Sequence, residues 1–317
     1  MNIRQTNIQN LGNKISCCLL TFNHVHIIES TINSILNQSV KNFEFIISDD
    51  CSTDGTWEKI LAIKKKFNHI KAIQTPKNLK MAGNCNYAVS YTSRPYIAIL
   101  HHDDLFKPEL LEEWAKKLEL YPKAGFIFNS YENFHTKKIT SLMPKDCFDG
   151  DFFLQNYLLK NFDCQVWGSA MIRKTSWTKV NGMNEKFKHL ADVDLWIRLS
   201  KCFEVGYVAK PLITVRQSRP IYYPHEYTGS VWKNNKIIYE IHAENIKNYM
   251  KIKKVKKLFL WYRFLIKLNF ANLKWTIYAL IKKKKNMIYF SEDVATDYDF
   301  YIFKKIRVLS RLLIKFI

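Results

Sequence analysis

A short apolar run that ends in two histidines and two aspartates constrains this chain more than any other feature. The run, YIAILHHDD, extends from Tyr96 to Asp104. Its length and its β-prone residues predict a buried strand, and the abrupt change to polar residues places Asp103 and Asp104 at the carboxyl end of that strand. In an open parallel α/β sheet, this edge is where ligands bind.

Strand and helix patterns alternate around this run. We predict strands at Ile15 to Phe22, Phe43 to Ser48, Ile70 to Ile73, Tyr96 to Leu100 and Ala124 to Asn129. We predict helices at Val25 to Asn37, 56–67, Ala82 to Tyr91, Pro108 to Tyr121 and Asp192 to Ser200. The segment GSAMIRKTSW predicts a strand and a turn, and VNGMNEKF predicts a loop. This alternation indicates an α/β protein with a mostly parallel, Rossmann-like sheet.

Composition indicates a folded protein with an anionic partner. The 317 residues are 47% hydrophobic, enough for a large core. The formal charge of +21 could favour the binding of nucleic acid, anionic lipid or a phosphorylated small molecule. Seven cysteines without metal-site spacing predict buried free thiols in a reducing compartment. The polar N-terminus and the lack of an unbroken transmembrane stretch predict a cytoplasmic protein.

A second acidic cluster, DDCSTDG, follows another predicted strand and begins at Asp49 and Asp50. It falls on the same sheet edge as HHDD. Carboxylates suit Mg²⁺ or Mn²⁺, and such a cation neutralises a diphosphate. Two clusters on one edge therefore suggest a nucleotide site, with one carboxylate for the base or ribose and another for the metal.

Helix capping is the simpler alternative for these carboxylates. Thr53 or Asp54 is expected to cap the following helix in any case. Asp103 and Asp104 could belong to a turn before the next helix. Capping of this helix does not require Asp49 and Asp50, so it does not explain them.

The motifs resemble those of family 2 glycosyltransferases. ISCCLLTFN, FEFIISDDCSTDGT and YIAILHHDD occur in the order found in the nucleotide-sugar-binding half of that family, and ADVDLWIRL resembles its catalytic helix. The resemblance covers approximately Ile15 to Ser230. It implies a GT-A fold with a catalytic domain at 1–230, divided into a nucleotide-binding half near 15–130 and an acceptor half near 131–230.

The resemblance also implies roles for individual residues. Asp192 matches the catalytic base. The positions that match nucleotide-sugar contacts are Thr21, Asn23, Asp50, Asn86, Asp103 and Arg216, with Asn78 and Gly83 in a loop near the base and ribose. The positions that match the site of a divalent metal, Mn²⁺ or Mg²⁺, are Asp104 and Asp103, with help from His102.

Two positions depart from the family pattern. His101 stands where many members have the first Asp of the metal motif, so metal binding would depend on the two aspartates that follow. Ala191 stands where many members have a Glu before the catalytic helix, which leaves Asp192 as the base.

The implied chemistry is an inverting transfer. A general base takes a proton from an acceptor hydroxyl as that hydroxyl attacks the anomeric carbon opposite the departing diphosphate. Asp192 could supply the base, and Arg216 with the cation could stabilise the diphosphate. The alternative for Asp192 is an N-cap, a role that Asp194 could equally fill. His225 could be a further phosphate or metal contact, or simply an exposed loop residue.

Beyond about Val231, basic and bulky apolar residues alternate at helical spacing. Lysines beside Trp261, Tyr262, Phe264 and Trp275 suit an amphipathic helix lying on an anionic membrane, with contact through residues 250–317. The alternative is a helical appendage that packs on the catalytic domain and exposes its lysines.

These features lead to one principal hypothesis and two rivals. We expect an inverting, metal-dependent transferase that moves a sugar from a UDP-linked donor to a bacterial glycan, with a lipid-linked O-antigen, capsule or lipooligosaccharide intermediate as acceptor. It would work at the inner face of the cytoplasmic membrane without a nucleic-acid partner. The rivals are a basic nucleic-acid-binding protein and a degenerate transferase that binds the donor without catalysis.

Overall fold

The computed structural model describes residues 10–159, 164–216, 231–249 and 253–281. These residues form two compact units, one made of 10–153 and 165–216 and the other of 154–159, 164, 231–249 and 253–281. His225 and all residues after 281 lie outside the described part of the chain.

A ten-stranded sheet forms the centre of the first unit. Its strands are β1 (Ile15–Thr21), β2 (Glu44–Asp49), β3 (Ile70–Gln74), β4 (Tyr96–His101), β5 (Leu105–Phe106), β6 (Ala124–Asn133), β7 (Ile139–Thr140), β8 (Cys147–Phe148), β9 (Ala170–Arg173) and β10 (Glu204–Val215). Its helices are α1 (Ile28–Leu36), α2 (Thr56–Lys66), α3 (Lys80–Ser90), α4 (Leu110–Leu120), α5 (Gly150–Phe153), α6 (Lys174–Lys179) and α7 (Ala191–Ser200), and a 3₁₀ helix covers Glu185–Leu190.

The sheet is mostly parallel, as predicted. Its order is β3-β2-β1-β4-β9-β6-β10-β5, with β7 on β6 and β8 on β10. Strands β3, β2, β1 and β4 run in parallel, as do β6 and β10. Strand β9 is antiparallel to both β4 and β6 and joins the two parallel groups.

Strand β1 fixes the relative position of the two acidic clusters. All seven of its residues are buried, because β2 and β4 flank it and helices cover the sheet. Thr21 is paired with Asp49 on one side, and Leu20 is paired with His101 on the other. Since neighbouring strands lie about 4.8 Å apart, the clusters are separated by roughly 10 Å across the end of β1.

Strand β10 is the main element that the sequence analysis missed. Its first half, Val205 to Val208, is apolar, but exposed residues and Pro211 follow before the apolar pattern resumes at Leu212. The pairing with β6 is irregular between Val208 and Ile213. This interruption breaks the alternation on which strand prediction depends.

The cysteines are free, but the prediction that they are buried is only partly correct. Cys17, Cys18 and Cys85 are buried, whereas Cys202 is exposed. Cys202 lies in the turn that follows α7. Cys51, Cys147 and Cys164 are half-buried.

The second unit contains helices that pack through apolar side chains. These are a π-helix (Leu154–Leu158), α8 (Val231–Lys247) and α9 (Lys254–Ile281). Phe264 and Leu268 of α9 pack near Tyr239 of α8, and His242 of α8 stacks on Phe264 with ring centroids 4.1 Å apart. Among the described residues, no helix combines the length and apolar character that crossing a bilayer requires.

Candidate active site

The first acidic cluster is built around Asp49, whose carboxylate is fully buried. One oxygen accepts hydrogen bonds from the Ser52 backbone N–H (3.0 Å) and the Gln74 side-chain amide (2.9 Å), and the other accepts from the Ser52 hydroxyl (2.5 Å). These bonds fix the turn after β2. Asp49 is therefore part of the scaffold of the site.

Asp50 lies beside Thr21 at the end of β1. Its Oδ1 accepts from the Thr75 hydroxyl (2.9 Å) and the Leu79 backbone N–H (2.7 Å), and its backbone N–H donates to the Thr21 carbonyl oxygen. Burial raises the pKa of Asp50, although these donors partly offset the increase. The Thr21 hydroxyl is buried and has no protein partner among the described residues, so it remains able to bond a ligand.

The predicted asparagines are used mainly by the fold. Asn23 has a positive φ of 55°, and its side-chain oxygen accepts from the Thr53 backbone N–H (2.8 Å). The side-chain oxygen of Asn78 accepts from the Lys80 backbone N–H (3.1 Å). These bonds order the loops that carry the acidic cluster and open α3.

Asn86 of α3 bonds both backbone groups of Met183. Its amide donates to the Met183 carbonyl oxygen (3.0 Å), and its oxygen accepts from the Met183 backbone N–H (2.9 Å). The same amide lies 3.3 Å from a carboxylate oxygen of Glu185. The structure thus places Asn86 against the segment leading to α7, and its proposed nucleotide contact stays a prediction.

The HHDD cluster brings Asp103, Asp104 and Arg216 together. Asp104 is only 2% exposed, and burial together with the neighbouring Asp103 raises its pKa well above the usual range. The backbone N–H and the guanidinium of Arg216 act in the opposite direction. The Arg216 side chain donates to the Ser30 hydroxyl (3.0 Å) and lies over the Phe134 ring.

Helix α1 holds the turn that carries these aspartates. The hydroxyl of Thr31, a buried residue, donates to the carbonyl oxygens of His102 (2.8 Å) and Asp104 (3.0 Å). The sequence analysis did not single out Thr31, because a threonine inside an amphipathic helix gives no sign of such a distant partner.

Three histidines surround Asp103. Burial raises its pKa, but the electrostatic effects of the nearby His102, His101 and His24 imidazoles outweigh this, so its pKa lies below the ordinary value. His102 directs Nδ1 to the Leu20 carbonyl oxygen (2.9 Å), and its ring lies 3.5 Å from that of His24. The metal-ligand role suggested for His102 stays a prediction, and His24 is a site residue that the sequence analysis missed.

Asp192 lies in the first turn of α7, which begins at Ala191 with Leu190 as its N-cap residue. The N-cap interpretation of Asp192 is therefore wrong. Its Oδ1 is buried and has no hydrogen-bond partner among the described residues. Burial raises the pKa of Asp192, and His101 partly offsets the increase. A buried, basic carboxylate near the end of β4 suits proton abstraction.

Asp194, the other acidic residue of this turn, has a structural role. It forms an ion pair with Arg198 at 2.6 Å and is almost fully buried. Arg198 also donates to the carbonyl oxygens of Val180 and Gly182 (2.8 Å to Gly182). This network ties α7 to the segment before it, and the role of Asp192 as the base stays a prediction.

The donor set at HHDD fits a divalent cation that also binds a ligand. Burial and the neighbouring Asp103 disfavour ionisation of Asp104, and a cation bound between the two carboxylates would favour the ionised form of both. Among the described residues, no three His, Cys, Asp or Glu side chains form a metal cage. A cation at Asp103 and Asp104 would therefore need further oxygen ligands from the bound substrate.

Together these features define an α/β protein with a carboxylate-lined candidate site at the carboxyl edge of its sheet. The model of the family described as Glycosyl transferase family 2 matches residues 16–179, which is more than half of the chain. The chain therefore belongs to this family. This confirms the predicted family.

Two curated relatives share much of the chain. It is 28% identical over 236 residues to the putative glycosyltransferase EpsE of Bacillus subtilis, covering 70% of this chain and 80% of EpsE. It is also 28% identical over 189 residues to the Escherichia coli enzyme WfgD, a UDP-Glc:alpha-D-GlcNAc-diphosphoundecaprenol beta-1,3-glucosyltransferase. That match covers 59% of this chain and 70% of WfgD.

Solved structures confirm the GT-A fold. TarS 1-349 of S. aureus in complex with UDP-GlcNAc has a TM-score of 0.69 at 15% identity, covering 90% of this chain and 80% of that chain. The mannosyltransferase PcManGT of Pyrobaculum calidifontis in complex with GDP-Man and Mn²⁺ has a TM-score of 0.61 at 14% identity, covering 95% and 85%. At these identities the likeness concerns the fold alone.

Proposed function

We propose that this protein is an inverting glycosyltransferase that uses a UDP-linked sugar. The observation that carries the proposal is the position of Asp192, whose buried oxygen has no partner in the described protein and lies within electrostatic range of His101 at the end of β4. A hydroxyl of the acceptor would bond this oxygen and lose its proton to it during attack on the anomeric carbon.

The opposite side of the reaction centre would hold the diphosphate. Asp103 and Asp104 would hold Mn²⁺ or Mg²⁺, which when bound neutralises charge on the leaving diphosphate. Arg216, which bonds Asp104 through its backbone, would add a positive charge to the same side. Thr21 and Asp50 would contact the nucleoside, in agreement with the UDP-linked substrates named for WfgD and for the TarS complex.

Calorimetric titration with UDP, with and without Mn²⁺, tests the donor site. We expect binding that depends on Mn²⁺ and is abolished by Asp104→Ala. Asp192→Asn should retain this binding while sugar transfer falls by about a thousandfold or more, since the base is lost. Absence of binding to any nucleoside diphosphate would contradict the proposal, and wild-type binding without transfer would support the degenerate alternative.

We further propose a lipid-linked glycan acceptor and contact of α9 with an anionic membrane. Large apolar side chains along α9 are exposed and recur at spacings of three, four or seven residues, which places them on one face. This apolar stripe, about 40 Å long at 1.5 Å per residue, consists of Val255, Leu258, Phe259, Tyr262, Ile266, Phe270, Ile277 and Ile281.

A basic row accompanies the apolar stripe. Lys256, Arg263, Lys267 and Lys274 follow one another at spacings of seven or four residues and fall beside the stripe at 100° per residue. The face that packs near α8 is separate and includes Phe264 and Leu268. An exposed apolar stripe bordered by cations matches a helix that lies in the plane of an anionic bilayer.

Vesicle sedimentation tests this surface. We expect binding to phosphatidylglycerol vesicles, weaker binding to phosphatidylcholine vesicles and loss of binding with added salt. Phe259→Glu combined with Phe270→Glu should abolish it. The matched control is Leu120→Glu, which changes a similarly exposed residue of α4. Absence of vesicle binding, or a dimer that the same two changes dissociate, would contradict the membrane proposal, and salt-sensitive retention on DNA without sugar transfer would support the nucleic-acid alternative.

A further inference from the structure

Trp167 is an exposed tryptophan in the turn that leads into β9. Its side chain is 40% exposed, whereas Val166 before it is 2% exposed and Ser169 after it is 3% exposed. An indole ring exposed to this extent offers a large apolar face that a ligand could cover. Trp167 thus stands out on a segment whose neighbours are anchored in the core.

The backbone around Trp167 is held in a fixed turn. Gly168 has a φ of +58°, the Gly168 N–H donates to the Val166 carbonyl oxygen (3.2 Å), and the Ser169 N–H donates to the Trp167 carbonyl oxygen. Upstream, the Ser141 hydroxyl donates to the Gln165 carbonyl oxygen (2.7 Å). The ring itself packs beside Tyr131, with centroids 5.2 Å apart and planes tilted by 36°. The indole is therefore presented in a defined orientation.

This turn lies directly beside the candidate reaction centre. A Cβ atom on Gly168 would come within 2.7 Å of His101 Nε2, so the glycine backbone packs against the imidazole. His101 in turn acts electrostatically on Asp192 and Asp103. Trp167 therefore directly precedes Gly168, which packs against His101. His101 is the residue that acts on both the proposed base and the proposed metal site.

The sheet order separates Trp167 from the nucleotide side of the site. Asp50 follows β2, which lies on one side of β1, whereas β4 and then β9 lie on the other side. Trp167 and the proposed nucleoside contacts therefore lie on opposite sides of β1, with the HHDD cluster between them. His101, which acts electrostatically on Asp192, lies at the end of β4, between β1 and β9.

We propose that Trp167 is the stacking platform for the sugar ring of the acceptor that carries the attacking hydroxyl. A pyranose presents an apolar face of C–H groups, which matches the face of an indole, and its hydroxyls remain at the edge of the ring where Asp192 could accept a proton. The proposal rests on the proposed glycosyltransfer and adds the residue that selects the acceptor.

Fluorine NMR of protein labelled with 5-fluorotryptophan tests this assignment. The chain has eight tryptophans, and Trp167→Phe identifies the resonance of Trp167. In protein saturated with UDP and Mn²⁺, methyl glycosides of glucose, galactose and N-acetylglucosamine are added one at a time. We expect at least one of them to shift the Trp167 resonance more than the other tryptophan resonances.

Kinetics with the glycoside that shifts this resonance provide a second readout. Trp167→Ala should raise the KM for that acceptor about tenfold or more, with the donor KM and UDP binding unchanged, and Trp167→Phe should retain most of the affinity. Phe67→Ala is the matched control, because Phe67 is 37% exposed but lies between α2 and β3 at the opposite edge of the sheet. An unchanged acceptor KM, or an equal increase in donor KM, would overturn the inference.

The two proposals can fail separately. If UDP binds but no glycoside shifts the Trp167 resonance selectively, the stacking platform is wrong and the transferase proposal stands. If UDP does not bind, the transferase proposal is wrong, and with it the basis for the acceptor site.

Discussion

The two acidic clusters look alike in the sequence, but the fold uses them differently. Each is an Asp-Asp pair at or just beyond the carboxyl end of a parallel strand, and the two strands flank β1. Asp49 of the first cluster accepts three hydrogen bonds from Ser52 and Gln74, whereas Asp104 of the second is buried beside another carboxylate, which raises its pKa. A carboxylate that accepts several hydrogen bonds within the fold, such as Asp49, supports the structure of the site. A buried carboxylate with few hydrogen-bond donors, such as Asp104, is available to a cation.

The difference gives a physical criterion for separating scaffold from ligand groups. Donors arranged around a carboxylate stabilise its charge within the fold itself. A buried carboxylate without enough donors opposes folding at neutral pH until a cation arrives. Matched Asp→Asn substitutions in the two clusters should therefore have opposite effects on stability.

The largest expected effect is that of Asp104→Asn on activity. An amide is a poor ligand for Mn²⁺, so we expect sugar transfer to fall by about a thousandfold and the Mn²⁺-dependent part of UDP binding to disappear. Steady-state rates and calorimetry measure the two losses. A variant that transfers sugar at the wild-type rate would remove Asp104 from the metal site.

The same substitution should raise the stability of the metal-free protein at neutral pH. The pKa of Asp104 is raised in the folded state, so the folded state holds its proton more tightly, and stability from this group is present at low pH and lost as pH rises. Removing the charge should raise Tm at pH 7 by about 2–4 °C for each kcal/mol gained. Wild type and variant should converge at acidic pH, and a lower Tm at pH 7 would contradict this account.

Asp49→Asn should have a smaller effect of the opposite sign. The substitution replaces charge-assisted hydrogen bonds by neutral ones and directs an amide N–H₂ group at a set of donors. We expect a loss of about 1–2 kcal/mol, measured as a lower Tm or denaturation midpoint. An increase in stability, as for Asp104→Asn, would show that the two clusters do not differ in the way proposed.

The sequence allowed the parallel half of the sheet and both acidic clusters to be predicted, because their signals are local. Apolar runs followed by carboxylates locate strand ends without knowledge of their neighbours. The use made of each carboxylate could not be predicted, since it depends on Gln74 for Asp49 and on Arg216 for Asp104, which are distant in sequence. Strand β10 was missed because Pro211 interrupts its pattern.

The smallest expected effect concerns pH, and it tests the link between the second cluster and the base. Burial raises the pKa of Asp192, and His101 lowers it again. A general base works only when it is deprotonated, so kcat/KM should fall on the acidic side as Asp192 gains its proton. His101→Asn removes the group that lowers the pKa of Asp192, which should raise that pKa further and move the acidic limb to higher pH.

His69→Asn is the matched control, because His69 is exposed between α2 and β3 at the opposite edge of the sheet. The measurement is the pH profile of kcat/KM for the three proteins, and only His101→Asn should move the acidic limb. An unmoved limb would mean that His101 does not act on the base. A limb moved to lower pH would mean that His101 destabilises the Asp192 carboxylate. Either result would contradict the proposal that the HHDD cluster lowers the pKa of Asp192.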